Sequence, residues 1–438
     1  MENFLVKQKK KWYIYAEKVM HLALFGHLMK WLVIGSLVGI MTGSGSALFL
    51  TGLDFATKER LTHPRLFWLL PLGGALVSYL YLKYGKEASK GNNLILEQIH
   101  EGNGAVPFRM APLVLFGTFL THLFGGSAGR EGTAVQMGGS FAEWLGNRMR
   151  LDSFDRKIIL MCGIGSGFGS VFGTPLSGAI FGLEVLTIGV IRYEALLPCF
   201  VASFVGDIVT RAWGIFHLHY SVGTILEISP FMIGKVIFAS IIFGLASLLF
   251  SEMTHGLKAL FARYIKNSVL KSFIGGLILI AIVYLFGTRE YLGLGMPLIS
   301  ESFQGTSSSF AFLWKTIFTS ITLGAGFQGG EVTPLFVIGS TLGSALGHLL
   351  QVSIPFMAAL GFIAVFSGAT NTPIACFIMG IELFGADNII YMFIACVISY
   401  YFSAHTGIYG SQKIEIAKSK LYQFPKNATL ASIRNKKN

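Results

Sequence analysis

Apolar residues in this chain come in long unbroken stretches rather than in the one-sided stripes of helices that face water. They occupy 31–52, 66–83, 111–125, 156–187, 195–215, 229–250, 272–287, 312–325, 334–350, 355–384 and 389–404. About 20 apolar residues of helix cross a hydrocarbon core, and the runs recur at that scale throughout. A soluble protein of this length would show polar helix faces between them, and none appears. The pattern predicts an all-α polytopic membrane protein.

The same pattern repeats. In both 162–184 and 361–382 a Gly/Ser-rich helix breaks at Thr-Pro (Thr174-Pro175, Thr372-Pro373) and a second helix ends at a glutamate nine positions past the proline, Glu184 or Glu382. An upstream carboxylate keeps the phase, since Glu131 precedes Pro175 by 44 positions and Glu331 precedes Pro373 by 42. The chain therefore divides into two related transmembrane halves, 31–215 and 229–415, joined by 216–228. An N-terminal helix over 1–30 and a basic tail over 416–438 flank them. Repeats of this kind hold their substrate at the repeat interface, near the bilayer midplane, on broken helices.

Composition agrees: 53% of residues are apolar and only 13% charged, against about 25% charged in a soluble domain. Fifty-three glycines let helices approach closely and break where backbone lines a cavity. The net charge of +12 gathers partly in two ends, Lys7, Lys9, Lys10 and Lys11 at one and Lys426, Arg434, Lys436 and Lys437 at the other. The positive-inside rule puts both termini in the cytoplasm. Neither basic end is long enough for a nucleic-acid arm, and no small-residue cleavage site marks a removable signal peptide. Cys162, Cys199, Cys376 and Cys396 stand alone in apolar segments, so they read as packing residues and not as disulfides or metal ligands. No HExxH spacing is present, and neither metal nor cofactor is expected.

Two acids stand at matched places in the two halves. Glu131 lies in Gly126-Ser-Ala-Gly-Arg-Glu-Gly-Thr133 and Glu331 in Gly329-Gly-Glu-Val-Thr-Pro334, both between apolar segments. A charged residue at the membrane centre costs about 2.5–3.5 kcal/mol on insertion scales, so one placed there reads as functional by default. Each half carries two helix breaks, one at this motif and one before Thr-Pro. Helix N-termini converging from such breaks would bind an anion, through free N–H groups and the helix dipole. A cation site would want carbonyl ends or clustered carboxylates, whereas these acids stand singly.

At these residues the chain resembles the CLC family of chloride channels and anion/proton antiporters. Gly129-Arg130-Glu131-Gly132 resembles the family's gating-glutamate motif, and Gly330-Glu331-Val332-Thr333-Pro334 its second-half partner. Tyr409, in Gly407-Ile408-Tyr409-Gly410, falls where the family has an anion-coordinating tyrosine. Three departures are similar to the bacterial fluoride/proton antiporter branch: Gly91-Asn92-Asn93-Leu94 where a serine motif is usual, Thr133 for a proline and Val332 for a phenylalanine. The resemblance implies two inverted-topology repeats, a homodimer with one pore per subunit in the cell's inner membrane, and export of fluoride in exchange for protons. Many antiporters of the family have a second, inner glutamate where this chain has Val185, so protons here travel by water or on Glu131 itself.

Residue by residue, the resemblance implies the following roles. Glu131 is the gate and proton carrier, competing with the anion for the same N–H groups and leaving when protonated. Asn92, Asn93, Gly132, Thr133, Val332, Thr333 and Tyr409 form the anion site. On local chemistry alone Gly91-Asn92-Asn93 is a turn, Thr333 a helix cap and Tyr409 an interfacial anchor. The two asparagines offer amide N–H donors that suit a small, tightly hydrated ion, and which of them does so stays open. Arg130, Glu184, Glu382 and Glu331 read as structural, and His122 as a packed core histidine. The alternatives are a CLC-type chloride carrier or channel, an intramembrane enzyme and a scaffold. An enzyme would need nucleophile or ligand partners that the spacing does not provide, so the chain is not expected to be one.

Overall fold

A computed structural model describes residues 2–102, 104–217, 220–223 and 227–437, with side chains from Met20 to Asn435. Among the described residues the chain forms seventeen α-helices. The first eight are α1 (Glu2–Thr62), α2 (Leu70–Leu80), α3 (Asn92–Glu101), α4 (Met110–Leu123), α5 (Glu131–Arg148), α6 (Ser153–Phe172), α7 (Pro175–Glu184) and α8 (Leu196–Ala212). The next eight are α9 (Pro230–Tyr264), α10 (Ser268–Phe286), α11 (Met296–Gln304), α12 (Ala311–Gly324), α13 (Val332–Leu350), α14 (Ile354–Thr370), α15 (Pro373–Phe384) and α16 (Ile389–Phe402). The second set matches the first one for one, in order. A short helix, α17 (Leu430–Lys437), closes the chain. The N-terminal helix expected over 1–30 does not end there, because α1 continues unbroken to Thr62. Of the joining segment 216–228, residues 218, 219 and 224–226 lie outside the described residues, and the remainder forms neither helix nor strand.

Among the described residues six helical stretches are long and apolar enough to cross a membrane, and four shorter apolar helices accompany them. The two long runs at 156–187 and 355–384 each split for a local reason. Gly173 (φ 71°) and Asn371 (φ 59°) take the left-handed conformation that ends α6 and α14. Pro175 and Pro373 then start α7 and α15 at a position where a missing N–H costs nothing. The close packing of the halves uses matched glycine pairs. A Cβ on Gly138 or Gly163 would run into the other's backbone carbonyl where α5 meets α6, and Gly339 and Gly361 stand in the same relation between α13 and α14.

The helices after the Thr-Pro breaks cap one another. Glu382, at the far end of α15, accepts hydrogen bonds from the N–H groups of Leu176 and Ser177 on α7, both 2.8 Å. Glu184, at the far end of α7, accepts from Ile374 and Ala375 on α15 at 3.1 and 2.8 Å. Each equivalent helix thus lies antiparallel to its partner, so the halves are related by a twofold rotation across the helix axes, and their topologies are inverted. One expectation is corrected here. The N-termini before Thr-Pro do not face an anion site, because carboxylates of the opposite half already occupy them.

The segment after α16 ties the halves together on one side. Gln412 donates to the carbonyls of Val185 (2.9 Å) and Thr370 (3.0 Å) and accepts from the Asn371 amide (2.9 Å). A two-residue parallel ladder pairs β1 (Thr187–Ile188) with β2 (Lys413–Ile414). Leu430 of α17 buries against Ile188 and Ile414.

A candidate ion site between the two halves

The loops entering α5 and α13 meet in an antiparallel bridge. The Gly129 N–H donates to the Gly330 carbonyl at 2.6 Å, and the Gly330 N–H to the Gly129 carbonyl at 2.8 Å. Only glycine fits at either position. A Cβ on Gly129 would lie 2.8 Å from Pro334 Cδ, and one on Gly330 would lie 2.7 Å from the Gly132 nitrogen. The bridge sets the N-termini of α5 and α13 side by side, one from each half. The N-terminus of α3 joins them, with the Asn92 amide nitrogen 3.1 Å from where a Cβ on Gly132 would be. Three helix N-termini therefore converge, and their dipoles make the centre electropositive.

Glu131 is the first residue of α5 and is 0% exposed. Its carboxylate does not cap its own helix. Instead it reaches across to the other half, where one oxygen accepts the Thr333 N–H at 2.9 Å and the Thr333 hydroxyl donates to both oxygens at 2.6 and 2.7 Å. The Arg130 N–H adds a longer bond at 3.2 Å, and the Arg130 guanidinium nitrogen Nε lies 3.4 Å away. A buried carboxylate is tolerated here because charge-assisted donors replace its lost water. It fills the position that a free anion would take at the start of α13.

Two cavities approach the loops that carry Glu131, one reaching Arg130 and Thr333 and the other Asn92 and Glu331. The one on the Arg130 side has a volume of about 650 Å³ and is walled by Arg130, Thr333, His217, Phe172, Phe336 and Phe362, among others. The one on the Tyr409 side has a volume of about 450 Å³ and is walled by Asn92, Asn93, Gln136, Glu331 and Tyr409. Four lysines line the latter, Lys86, Lys90, Lys258 and Lys271, so it attracts anions from solution. Between the cavities runs a chain of aromatic rings. Phe336 stacks on Phe362 (4.0 Å between centroids) and meets Phe366 edge-on (5.0 Å). Phe366 stacks on Phe168 (5.7 Å), Phe168 on Phe181 (4.3 Å), and Phe181 meets Tyr409 edge-on (6.5 Å).

The structure brings together most of the residues singled out from the sequence, in different relations. Gly132 lies against Asn92 and Gly330. Val332 is buried as the first residue of α13, where its side chain offers no polar atom. The Thr133 hydroxyl is engaged away from the centre, sharing a 2.7 Å hydrogen bond with Thr118. The asparagines separate: Asn93 accepts the Ser411 N–H at 2.9 Å and so holds the Tyr409 segment, while Asn92 turns toward Gly132. Tyr409 is buried and forms part of the cavity wall. Arg130 pairs with Glu131 and faces the other cavity. His122 is fully buried. Three features of the site escaped the sequence reading, namely Gln136, the phenylalanine chain, and the place of Glu331 in the Tyr409-side wall. Among the described residues no group of His, Cys, Asp or Glu could hold a metal ion.

The sequence pattern of the family described as voltage gated chloride channel matches residues 73–404. A chloride/fluoride channel protein of Pseudomonas syringae pv. tomato is 48% identical over 430 residues, 94% of this chain and 95% of that protein. An H(+)/Cl(-) exchange transporter, ClcA, of Yersinia pestis is 25% identical over 402 residues, covering 84% of this chain and 83% of that one. Among solved structures, the crystal structure of a CLC-type fluoride/proton antiporter superposes with a TM-score of 0.86 at 36% identity, covering 89% of this chain and 98% of that one.

Proposed function

The chain belongs to the voltage-gated chloride channel (CLC) family of membrane transport proteins, and we propose that it exports fluoride in exchange for protons, with Glu131 as gate and proton carrier. The observation that carries this reading is the Glu131 carboxylate seated on the N–H and hydroxyl of Thr333 at the N-terminus of α13. An ionised Glu131 holds those donors and closes the path. A protonated Glu131 has lost the charge that made the bonds strong, so it leaves, and an anion takes the donors in its place. One site therefore holds either a carboxylate or an anion, and a proton decides which. This couples the two ions without a large rearrangement.

Fluoride suits the donors. It is small and strongly hydrated, and a site that strips its water must return hydrogen bonds in kind. The Thr333 hydroxyl and N–H, the Asn92 amide and the first-turn N–H groups of α3, α5 and α13 supply them. A similar protein described as a chloride/fluoride channel and a similar structure described as a fluoride/proton antiporter point the same way. On this reading the lysine-lined Tyr409-side cavity opens to the cytoplasm, where both termini lie, and the protein works as a homodimer in the inner membrane. The second reading is a chloride/proton exchanger, since a chloride-exchanging relative shares 25% identity over most of the chain.

The test is efflux from liposomes loaded with fluoride or chloride, with internal pH followed at the same time, for the wild type and Glu131→Gln. Fluoride efflux coupled to opposing proton movement, with the coupling lost in the variant, is expected. Chloride efflux as fast as fluoride efflux would overturn the fluoride assignment, and fluoride movement with no proton movement in the wild type would overturn antiport.

A further inference from the structure

Helices α2 and α4 lie side by side and antiparallel, since Gly73 meets Phe124 while Gly117 meets Val77. The end of α2 therefore adjoins the start of α4. Helix α2 belongs to one of the six stretches able to cross a membrane, and α4 is one of the shorter apolar helices. Each turns apolar side chains outward, Leu72, Leu76 and Tyr79 on α2 and Phe116 on α4, with Leu113 half-buried beside it. Each outward stripe stops at a cation. Lys83 follows Tyr79 by four residues, about one helical turn, and Arg109 immediately precedes α4. A π-helical turn over Tyr81–Gly85 widens the end of α2 and delivers Lys86 in the left-handed region at φ 47°.

Lys83, Lys86 and Arg109 wall one open groove of about 560 Å³ together with Tyr84, Leu113 and Phe116. No acid lines the groove. Among the described residues none of the three cations pairs with a carboxylate, and the neighbouring acid, Glu87, is engaged by Lys90 at 2.9 Å. Three like charges gathered this way repel one another until an anion joins them. A free phosphate would neutralise the cations and leave Phe116 bare, whereas an uncharged lipid would cover the ring and leave the cations unmatched. We propose that this groove binds an anionic phospholipid, its phosphate held among Lys83, Lys86 and Arg109 and an acyl chain laid along Leu113 and Phe116. The guanidinium offers a fork of donors to phosphate oxygens and the two ammonium groups act as point charges. Basic pockets at the membrane surface draw anionic headgroups for this reason. Lys86 also lines the Tyr409-side cavity, so a bound headgroup partly neutralises one of that cavity's four lysines. The inference goes beyond the transport reading and does not depend on which anion is carried.

The experiment titrates the full-length protein in detergent micelles with phosphatidylglycerol or phosphatidylcholine and counts retained lipids by native mass spectrometry. It compares wild type, the triple variant Lys83→Gln/Lys86→Gln/Arg109→Gln and the charge-preserving Lys83→Arg/Lys86→Arg/Arg109→Lys. The control Arg263→Gln/Lys266→Gln removes two exposed cations elsewhere. A basic residue at the membrane surface contributes about fivefold to binding an anionic lipid. The triple glutamine variant should therefore bind phosphatidylglycerol roughly 100-fold more weakly than wild type, with phosphatidylcholine retention unchanged. The charge-preserving variant and the control should keep the wild-type preference. Phe116→Ser should weaken phosphatidylglycerol retention several-fold with all three cations in place, and excess glycerol phosphate should not displace the lipid. If the triple glutamine variant does not fold, Lys83→Gln alone should lower retention about fivefold. Equal retention of the two lipids by wild type overturns the proposal, as does wild-type retention in the triple or the single glutamine variant. An equal loss in the control would mean diffuse attraction to net charge and no site. Displacement by glycerol phosphate, or an indifferent Phe116→Ser, would make the groove a site for soluble phosphate and overturn the lipid assignment.

Discussion

Thr333 offers the sharpest test of competition between carboxylate and anion. Its hydroxyl donates to both Glu131 oxygens at 2.6 and 2.7 Å, and its N–H to one of them at 2.9 Å. Thr333→Val keeps the branched volume and the N–H and deletes the hydroxyl. A hydrogen bond to a charged group contributes about 1.5–3 kcal/mol, equivalent to roughly 10- to 150-fold in an equilibrium constant. If fluoride and Glu131 take turns on the same donors, the hydroxyl stabilises both competitors and its loss weakens both. In the wild-type background the two losses oppose each other, and apparent fluoride affinity should change by less than about threefold, the residue of two terms of similar size. In a Glu131→Ala background no competitor remains, and the same substitution should weaken fluoride binding by the full 10- to 150-fold or so. The four proteins form a double-mutant cycle with a coupling energy of about 1.5–3 kcal/mol. Titration calorimetry with sodium fluoride on purified, monodisperse protein reads it directly. An equal fold-change in both backgrounds would mean that Glu131 and the anion do not share Thr333, and the gating argument would fail.

The remaining predictions concern support and entry. Glu184→Gln weakens two charge-assisted bonds to Ile374 and Ala375, so stability should drop by about 1–3 kcal/mol with ion coupling retained; thermal unfolding in detergent and the liposome assay check the two halves of that statement. Lys258→Gln with Lys271→Gln removes two charges from the Tyr409-side cavity. Fluoride entry from that side should slow several-fold at low salt, and the difference should shrink above ~0.1 M salt, where the screening length is about 10 Å. A salt-independent deficit would show that the lysines act by contact and not by field.

The fold was readable where local chemistry punctuates it. The breaks at 173–175 and 371–373 follow from a left-handed residue, Thr and Pro in succession, and they divide the two apolar runs at the points observed. Helix α5 was not visible as an apolar run because Gln136, Glu143 and Arg148 interrupt it. It is buried by protein and not by lipid, so its sequence need not be uniformly apolar. Helices α3 and α11, at 10 and 9 residues, are too short to stand out by hydropathy. At the site, Glu131 and Thr333 announce themselves through their glycine-flanked motifs. What occupies a helix N-terminus is a different matter, since it is a long-range pairing. The Thr-Pro helices advertise anion binding as strongly as α13 does, and yet Glu184 and Glu382 fill them from about 190 and 206 residues away. Gln136 left only a weak signal, a lone amide in an apolar turn five residues past Glu131.

The repeat also separates what supports the protein from what works in it. Glu184 and Glu382 are equivalent, and each does for the other's helix what the other does in return. That symmetry leaves no direction, and a directionless pair can only hold the halves together. Glu131 and Glu331 are equivalent too, but they do not reciprocate. Glu131 crosses to Thr333 of the second half, whereas Glu331 turns into the wall of the Tyr409-side cavity, its carboxylate 3.9 Å from where a Cβ on Gly132 would be. Threonine follows Glu131 at two positions, as it does Glu331, but the Thr133 hydroxyl is spent on Thr118 while the Thr333 hydroxyl is given to Glu131. On the proposed antiport, two ions moving in opposite directions need two mouths that differ. The scaffold's symmetry breaks at these two acids, one carboxylate bound to the opposite half and a second that faces the Tyr409-side cavity.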